Sequence, residues 1–261
     1  MDELVVLDAG HGAHDSGAVG NGLTEKERAL TLTKMVDEEL RANGVRTYLT
    51  RSTDVFVTLS GRAAVANQKG AKVFVSFHLN SGGGTGYESF VYLTVDAKTQ
   101  RLQDLLHAEA MKVLAPLGFK DRGKKKADLA VVRETNMPAV LTENGFIDNA
   151  TDMSHIRQDA VLRKLAKAYA KAICTYLGKG FNEGGSGSTG GSNGGDGRLG
   201  VAYIEGTNVN LRNAPSTSGA VIRKLNKPES YIVWYEENGW LNLGGKQFVF
   251  NDPSYIRFVR A

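Results

Sequence analysis

The spacing of hydrophobic and polar positions changes twice along this chain of 261 residues. In residues 1–179, short apolar runs alternate with longer segments whose apolar residues recur every three or four positions, as on one face of a helix. Residues 180–197 are rich in glycine and serine, and residues 198–261 contain only short apolar runs separated by turn residues. We therefore predict two folded domains, 1–179 and 198–261, joined by a flexible linker over 180–197.

The first domain is predicted to have an α/β fold, with a mostly parallel twisted sheet flanked by helices, because strand-like and helix-like segments alternate along it. The polar run Asp121–Lys126 is predicted to be a solvated loop, which could border a groove for an acidic or polar polymer. The predicted strands are Leu4–Asp8, Val45–Leu49, Val73–His78, Tyr87–Leu93, Leu129–Arg133 and Ala139–Glu143, and the predicted helices are Glu25–Asn43, Leu59–Lys69, Ala97–Leu114 and Ala160–Leu177.

The second domain is predicted to be a small all-β barrel or sandwich. It has no amphipathic helical pattern, and its apolar runs are only a few residues long. Turn sequences such as Asn213–Pro215 separate these runs. The runs are Val209–Leu211, Val221–Leu225, Tyr231–Trp234 and Trp240–Leu243.

The charge and the cysteine content limit the kinds of partner and of metal site that the chain could have. The formal net charge is +4, and residues 198–261 carry 8 Lys and Arg against 5 Asp and Glu. This surplus of positive charge suits a weak attraction to an anionic polymer. A nucleic-acid partner is not indicated, because the sequence contains no basic stripe interleaved with aromatic residues. The single cysteine, Cys174, excludes an intramolecular disulfide and a Cys-based metal site, so any metal must be held by His and carboxylates.

Insertion into a membrane is not expected, because no apolar run approaches the roughly 20 residues that a spanning helix needs. Strand-like sequence begins at Leu4, which leaves no room for a signal peptide, so we expect synthesis in the cytoplasm.

Polar residues stand where three of the predicted apolar strands end. His11 follows the first strand, His78 ends the third and Glu143 ends the last, while Glu25 opens the first helix. Such residues cost desolvation energy unless they are paired or bind a metal. Two His and one carboxylate form the ligand set of a catalytic zinc site, and a further carboxylate can move protons. We interpret His11, Glu25 and His78 as zinc ligands and Glu143 as general base and acid.

Structural interpretations of the same residues stay open at this point. Glu25 is also the kind of charge that a helix N-terminus favours, and His11 also fits a loop between two turn glycines. Asn80, two residues after His78, is a candidate substrate-binding residue. The three other histidines, His14, His107 and His155, are not chosen as ligands.

The motifs carry a specific resemblance across residues 3–178. Leu7–Gly12, Val75–Asn80 and Met137–Phe146, which reads MPAVLTENGF, resemble the zinc-dependent N-acetylmuramoyl-L-alanine amidases of the amidase 3 type. The resemblance implies that His11, Glu25 and His78 bind Zn²⁺ and that Glu143 is catalytic. It also implies peptidoglycan as partner, cut between N-acetylmuramic acid and L-alanine.

The C-terminal region resembles bacterial SH3-like wall-binding domains at Thr207–Ser216 and at Asn238–Leu243. An amidase joined to such a domain resembles a phage or prophage endolysin, which would act on the wall of its host after holin-type release or cell lysis. Three alternatives stay open: a mother-cell lytic amidase of a sporulating bacterium, a non-catalytic cell-wall-binding protein, and a zinc peptidase that cuts within the peptide.

Overall fold

The chain forms two compact units, each with its own hydrophobic core. The computed structural model describes residues 3–182, 199–237, 239–244 and 247–260. Nearly all of the predicted linker, 180–197, lies outside the described residues, so the linker and the domain boundaries stay predictions. Within the described part of the chain, no helix is at once long and apolar enough to span a bilayer.

The first unit alternates strands and helices, as the apolar pattern predicts, and its α/β class is confirmed. Its helices are α1 Glu25–Ala42, α2 Leu59–Gln68, α3 Ala97–Leu114, α4 Ala130–Arg133, α5 Ala150–Ile156 and α6 Asp159–Tyr176. Its strands are β1 Leu4–Ala9, β2 Val19–Gly20, β3 Leu23–Thr24, β4 Arg46–Leu49, β5 Val73–Asn80, β6 Tyr87–Val91, β7 Asp121–Lys126 and β8 Ala139–Phe146.

Six of these strands form one sheet in the order β4-β1-β5-β8-β6-β7. The pairs β1·β4, β1·β5, β5·β8 and β6·β7 are parallel, and only β6 runs against its neighbour β8. The predicted mostly parallel sheet is therefore confirmed, with one reversal. This reversal brings the start of β6 and β7 to the edge of the sheet where β1, β5 and β8 end.

The two faces of the sheet have separate cores because successive strand residues point to opposite sides. Val5 and Leu7 pack with the long helices α1, α3 and α6, whereas Val6 packs with the short helices α2 and α4. His78 is four residues after Phe74 on β5, and Glu143 is two residues after Leu141 on β8, so both share the face of this second core. These two side chains therefore belong to the face that short helices cover.

Two sequence predictions in this unit are wrong. Residues 129–133, predicted as a strand, form the short helix α4 with Leu129 at its N-cap. Residues 121–126, predicted as a solvated loop, form the edge strand β7, which pairs only with β6. A five-residue apolar run does not distinguish strand from helix, and a charged strand is typical of a sheet edge, where one side faces water.

The second unit is all β, as predicted. Its strands form a five-stranded sheet, β11-β10-β15-β14-β13, and a three-stranded sheet, β12-β9-β16, with antiparallel pairing throughout. Small aliphatic side chains such as Ile204, Leu211 and Leu241 fill its core. The strands are β9 Gly200–Ile204, β10 Val209–Arg212, β11 Val221–Leu225, β12 Ser230–Val233, β13 Tyr235–Glu237, β14 Trp240–Asn242, β15 Phe248–Phe250 and β16 Ile256–Arg260.

Candidate metal and catalytic site

His11 lies in the turn that follows β1, with its backbone in the left-handed region at φ 60°. Its Nδ1 is 2.9 Å from Asp15 Oδ2, and its Nε2 is 3.0 Å from Glu25 Oε1. A carboxylate on one ring nitrogen fixes the orientation of the ring and leaves the other nitrogen to act as ligand. Burial lowers the pKa of His11, but hydrogen bonds and the charges of Glu25 and Asp15 outweigh it and raise the pKa.

Glu25 is the first residue of α1 and is only 4% exposed. Its Oε1 accepts a hydrogen bond from the backbone N–H of Leu79 at 3.1 Å, and its Oε2 accepts one from Ala18 at 2.9 Å. Burial raises the pKa of Glu25, but hydrogen bonds from His11 and His78 lower it far below its ordinary value. These contacts show that Glu25 is more than a charge at a helix N-terminus.

His78 brings the third group to the same point. Its Nδ1 is 2.8 Å from Glu25 Oε1, and its ring centroid is 5.0 Å from that of His11. One ligand atom from each of His11, Glu25 and His78 lies within 4.8 Å of the others. The structure thus brings together the three residues that the sequence selected as ligands.

The surroundings fit a metal ion at this group. Two nitrogens and one carboxylate oxygen are donors that zinc accepts. Glycines line the group so closely that a side chain would fill the space: a Cβ on Gly10 would lie 2.4 Å from the His78 ring, and one on Gly17 2.6 Å from Glu25 and from His11. The group could therefore hold a metal ion.

Glu143 lies beside His78, because the two residues are register partners in the parallel pair β5·β8. Its Oε2 is buried and has no hydrogen-bond partner among the described residues. Burial raises the pKa of Glu143 to about 7, although the nearby His78 acts to lower it. A carboxyl group that titrates near neutrality next to three candidate ligands can both accept and release a proton.

Asn80, the candidate substrate-binding residue, makes hydrogen bonds within the protein through both its Nδ2 and its Oδ1. Its Nδ2 donates to Glu88 Oε1 at 2.5 Å, and its Oδ1 accepts from the backbone N–H of Ser81 at 2.8 Å. The structure thus places Asn80 in a polar network near the end of β5, and its role toward substrate stays a prediction.

Two buried arginines donate hydrogen bonds to backbone carbonyls of the turn that contains His11. Neither was among the site residues predicted from the sequence. Arg51 donates to the carbonyls of Ala9, Gly10 and Lys26 at 2.7–2.9 Å, and Arg62 donates to the His11 carbonyl at 2.7 Å. Each arginine is 2% exposed. We refer to Arg51 and Arg62 as the arginine clamp.

Asp8 completes this support from the end of β1. It is fully buried, and it accepts hydrogen bonds from Arg62 Nη1 at 2.9 Å and from Ser76 Oγ at 2.6 Å. A carboxylate inside an apolar strand was the one sequence signal that could have revealed the clamp, because a buried charge requires a partner.

The remaining histidines lie elsewhere, as the sequence analysis expected. His14 packs on Phe56 with ring centroids 4.3 Å apart. His107 is buried and bonded to Ser89 and Asp121, each at 2.9 Å. His155 lies in α5, outside the group formed by His11, Glu25 and His78.

Comparison with known proteins agrees with this geometry. The family model described as N-acetylmuramoyl-L-alanine amidase matches residues 5–175. The sporulation-specific N-acetylmuramoyl-L-alanine amidase of Bacillus subtilis is 43% identical over 173 residues, which cover 65% of this chain and 66% of that protein. The endolysin of Bacillus phage SPP1 is 44% identical over 190 residues, covering 71% of this chain and 70% of that protein. The chain thus spans about two thirds of the length of these relatives.

A solved structure covers the same region. The catalytic domain of CwlV, an N-acetylmuramoyl-L-alanine amidase from Bacillus (Paenibacillus) polymyxa var. colistinus, matches with a TM-score of 0.63 and 35% identity. The match covers 67% of this chain and 98% of that domain.

Proposed function

The chain belongs to the N-acetylmuramoyl-L-alanine amidase family, and from this premise we propose that it hydrolyses the amide between N-acetylmuramic acid and L-alanine in peptidoglycan. The observation that carries the proposal is the pairing of the His11, Glu25 and His78 group with a buried carboxyl, Glu143, whose Oε2 has no partner in the described part of the chain. A purely structural role would leave such an oxygen with an unmet desolvation cost.

Zinc is the metal that we propose for the site, held by His11, Glu25 and His78. When bound, it would act as a Lewis acid that polarises the lactyl carbonyl. Asp15 orients His11 through its Nδ1, and the backbone N–H groups of Leu79 and Ala18 fix the position of the Glu25 carboxylate.

Glu143 carries the protons in this proposal. It takes a proton from the attacking water as the new carbon–oxygen bond forms, and it gives that proton to the amide nitrogen as the carbon–nitrogen bond breaks. The products are a lactyl carboxylate and a free L-alanine amine. The raised pKa of Glu143, about 7, suits both transfers near neutral pH.

For the whole protein we propose a phage or prophage endolysin whose second unit is an SH3-like wall-binding domain. The likeness to an endolysin over 190 residues supports the first part. The β-strands of the second unit's described residues and the basic surplus of residues 198–261 support the second. We propose that it reaches the wall after holin-type release or cell lysis. The likeness to a sporulation-specific amidase supports a second candidate, a mother-cell lytic amidase, which cuts the same bond.

The test is digestion of purified peptidoglycan by the zinc-loaded protein, with and without a chelator, followed by mass spectrometry of the products. We expect intact stem peptides that begin at L-alanine, and we expect them to vanish with the chelator. Fragments from within the peptide would instead indicate a peptidase. Binding to walls without any release would indicate a non-catalytic wall-binding protein.

A further inference from the structure

Two cationic side chains of β7, Arg122 and Lys125, contact one buried carboxylate, Glu88 of β6. Strand β6 is the neighbour of β8, which carries Glu143. Arg122 Nε donates to Glu88 Oε2 at 2.9 Å, and Lys125 Nζ contacts the same oxygen. Glu88 is 3% exposed, whereas the Arg122 and Lys125 side chains are 35% and 38% exposed. We refer to Arg122 and Lys125 as the cation pair.

The cation pair lies on the same side of the sheet as the catalytic carboxyl. Glu88 is the register partner of Glu143 in the antiparallel pair β6·β8, and directly opposed residues point to the same face. The guanidinium of Arg122 also lies 4.7 Å from the ring centroid of Phe146, which ends β8. Across the sheet, the ligand group therefore lies at the ends of β1 and β5, Glu143 lies on the next strand, β8, and the cation pair lies on β7, two strands further.

The charges of this cluster do not cancel. Two cations face the single carboxylate of Glu88, and Asn80 adds only a neutral amide to it. Arg122 uses Nε for Glu88, and its two terminal nitrogens donate to no other group among the described residues. One positive charge and a partly exposed guanidinium edge therefore remain available to a ligand. Lys124, between the two, instead pairs with Asp104 of α3 on the opposite face.

The proposed reaction determines which part of the substrate meets the cation pair. Glu143 protonates the leaving nitrogen, so the leaving peptide must depart on the side of Glu143 that is away from the ligand group. That side is β6 and β7. We therefore propose that Arg122 and Lys125 bind a carboxylate on the peptide side of the scissile amide, and that they select substrates bearing one. This inference rests on the proposed function.

The spacing suits the residue that follows L-alanine. Neighbouring strands are about 4.8 Å apart, so β7 lies roughly 10 Å from β8, and the long side chains of the cation pair reach back toward β8. Two extended residues span roughly 7 Å, so an α-carboxylate on the residue after L-alanine would arrive beside the cation pair. Arginine is well suited to hold it, because a guanidinium binds a carboxylate through parallel hydrogen bonds.

The experiment compares two synthetic muramoyl peptides that differ only at the residue after L-alanine, which carries either a free α-carboxylate or the carboxamide. We expect the wild-type protein to cleave the carboxylate form with a kcat/KM about tenfold or more higher, since hydrogen bonds to a charged group are the stronger kind. Arg122→Gln and Lys125→Gln should each remove most of this preference by raising KM for the carboxylate substrate. Lys124→Gln is the matched control on the same strand and should keep it.

The carboxamide substrate separates a binding role from a loss of folding. Unchanged cleavage of the carboxamide by Arg122→Gln and Lys125→Gln, with weakened cleavage of the carboxylate, supports the inference. Equal cleavage of both substrates by the wild type, or equal losses on both in the variants, would overturn it and leave the amidase proposal standing. Cleavage of neither substrate by the zinc-loaded wild type would overturn the proposed function itself and this inference with it.

Discussion

The carboxyl group of Glu143 is held where its negative charge is disfavoured. Its Oε2 is buried without a partner among the described residues, and burial raises its pKa to about 7. The neighbouring His78 acts against this shift but does not cancel it. A raised pKa suits a carboxyl group that must accept a proton and then release it.

Glu143→Gln should lower kcat/KM for amide hydrolysis by about 10²- to 10⁴-fold, since glutamine has the same shape but cannot carry the proton. Zinc binding should be unchanged, because Glu143 is not one of the three ligands. Hydrolysis of a soluble muramoyl peptide and the zinc content of the purified variant are the two measurements. A variant that keeps its zinc and most of its activity would contradict the role of Glu143.

The arginine clamp holds His11 in a conformation that is costly for a residue with a side chain. A left-handed backbone costs such a residue about 1–3 kcal/mol, and the hydrogen bonds of Arg51 and Arg62 to the turn carbonyls offset that cost. The two arginines differ in one respect. Arg62 neutralises buried Asp8, whereas every acceptor of Arg51 among the described residues is a backbone carbonyl.

Arg51→Gln therefore tests the clamp without leaving an unpaired buried charge. Arg51 ties the His11 turn to the carbonyl of Lys26, next to Glu25, so its loss should misalign two of the three ligands. We expect the zinc dissociation constant to rise about tenfold or more, as for other groups that orient metal ligands. Competition with a zinc chelator measures it. Arg41→Gln, at an exposed arginine of α1, is the control and should bind zinc like the wild type.

Among the elements, the start of β6 depends on a close approach that only glycine permits. Gly86 has φ 106°, and a Cβ there would lie 2.1 Å from the Lys120 carbonyl oxygen, which accepts the Tyr87 N–H that begins the pairing of β6 with β7. Gly82 has nearly the same φ, 110°, but a Cβ there would meet nothing within 4 Å. The two glycines have similar positive φ angles and differ in the space around them.

Gly86→Ala should lower the free energy of unfolding by about 1–3 kcal/mol more than Gly82→Ala, because only the first adds an overlap with backbone to the strain of a positive φ. Urea denaturation of the full chain, followed by circular dichroism, measures both changes. Equal destabilisation by the two variants would mean that the backbone conformation alone matters and that the approach of β6 to β7 tolerates a Cβ.

The elements also show what the sequence could predict. Strands β1, β5 and β8 follow from their apolar runs, and their polar ends indicated His11, His78 and Glu143. Glu25 was indicated by its position at the start of α1. The strands run one to three residues further than predicted, since backbone pairing continues after the apolar pattern stops. The helix at 130–133 and the strand at 121–126 were missed because contacts with α2 and β6, distant in sequence, determine them.

The supporting residues of the site were harder to predict than its ligands. Arg51, Arg62 and Glu88 have partners that are distant in sequence: Arg62 contacts Asp8, which is 54 positions away, and Lys125 contacts Glu88, which is 37 positions away. Local spacing contains no signal for such contacts. A ligand at a strand end is indicated by its own position, whereas a clamp is indicated only by the fold that brings its partners together.

At the scale of the whole molecule, the proposed function assigns chemistry to the first unit and wall attachment to the second. All four site residues lie before residue 183, in a unit that matches a solved catalytic domain over 98% of that domain's length. The second unit has a core of its own, and none of its described residues belongs to the group formed by His11, Glu25 and His78. We therefore expect the first unit to fold and react alone, and the second to raise its concentration at the wall.

Deletion of residues 198–261 should leave hydrolysis of a soluble muramoyl peptide within about twofold of wild type while lowering activity on intact walls by about 10²-fold, a typical gain from a second binding module. Release of amino groups from each substrate measures the two activities. Equal loss on both substrates would show that the second unit contributes to catalysis or folding rather than to attachment.

Because β6 runs antiparallel to β8, the edge of the sheet that carries the site is formed by the carboxyl ends of β1, β5 and β8 and by the amino ends of β6 and β7. The carboxyl ends of β1, β5 and β8 contribute imidazole and carboxylate groups, while β6 contributes Glu88 and β7 contributes the cation pair. In a wholly parallel sheet, every strand would present its carboxyl end at this edge. Here a polymer laid across the strands would meet a different chemistry at each end. With the proposed roles of these groups, the fold would therefore distinguish a glycan-to-peptide from a peptide-to-glycan orientation.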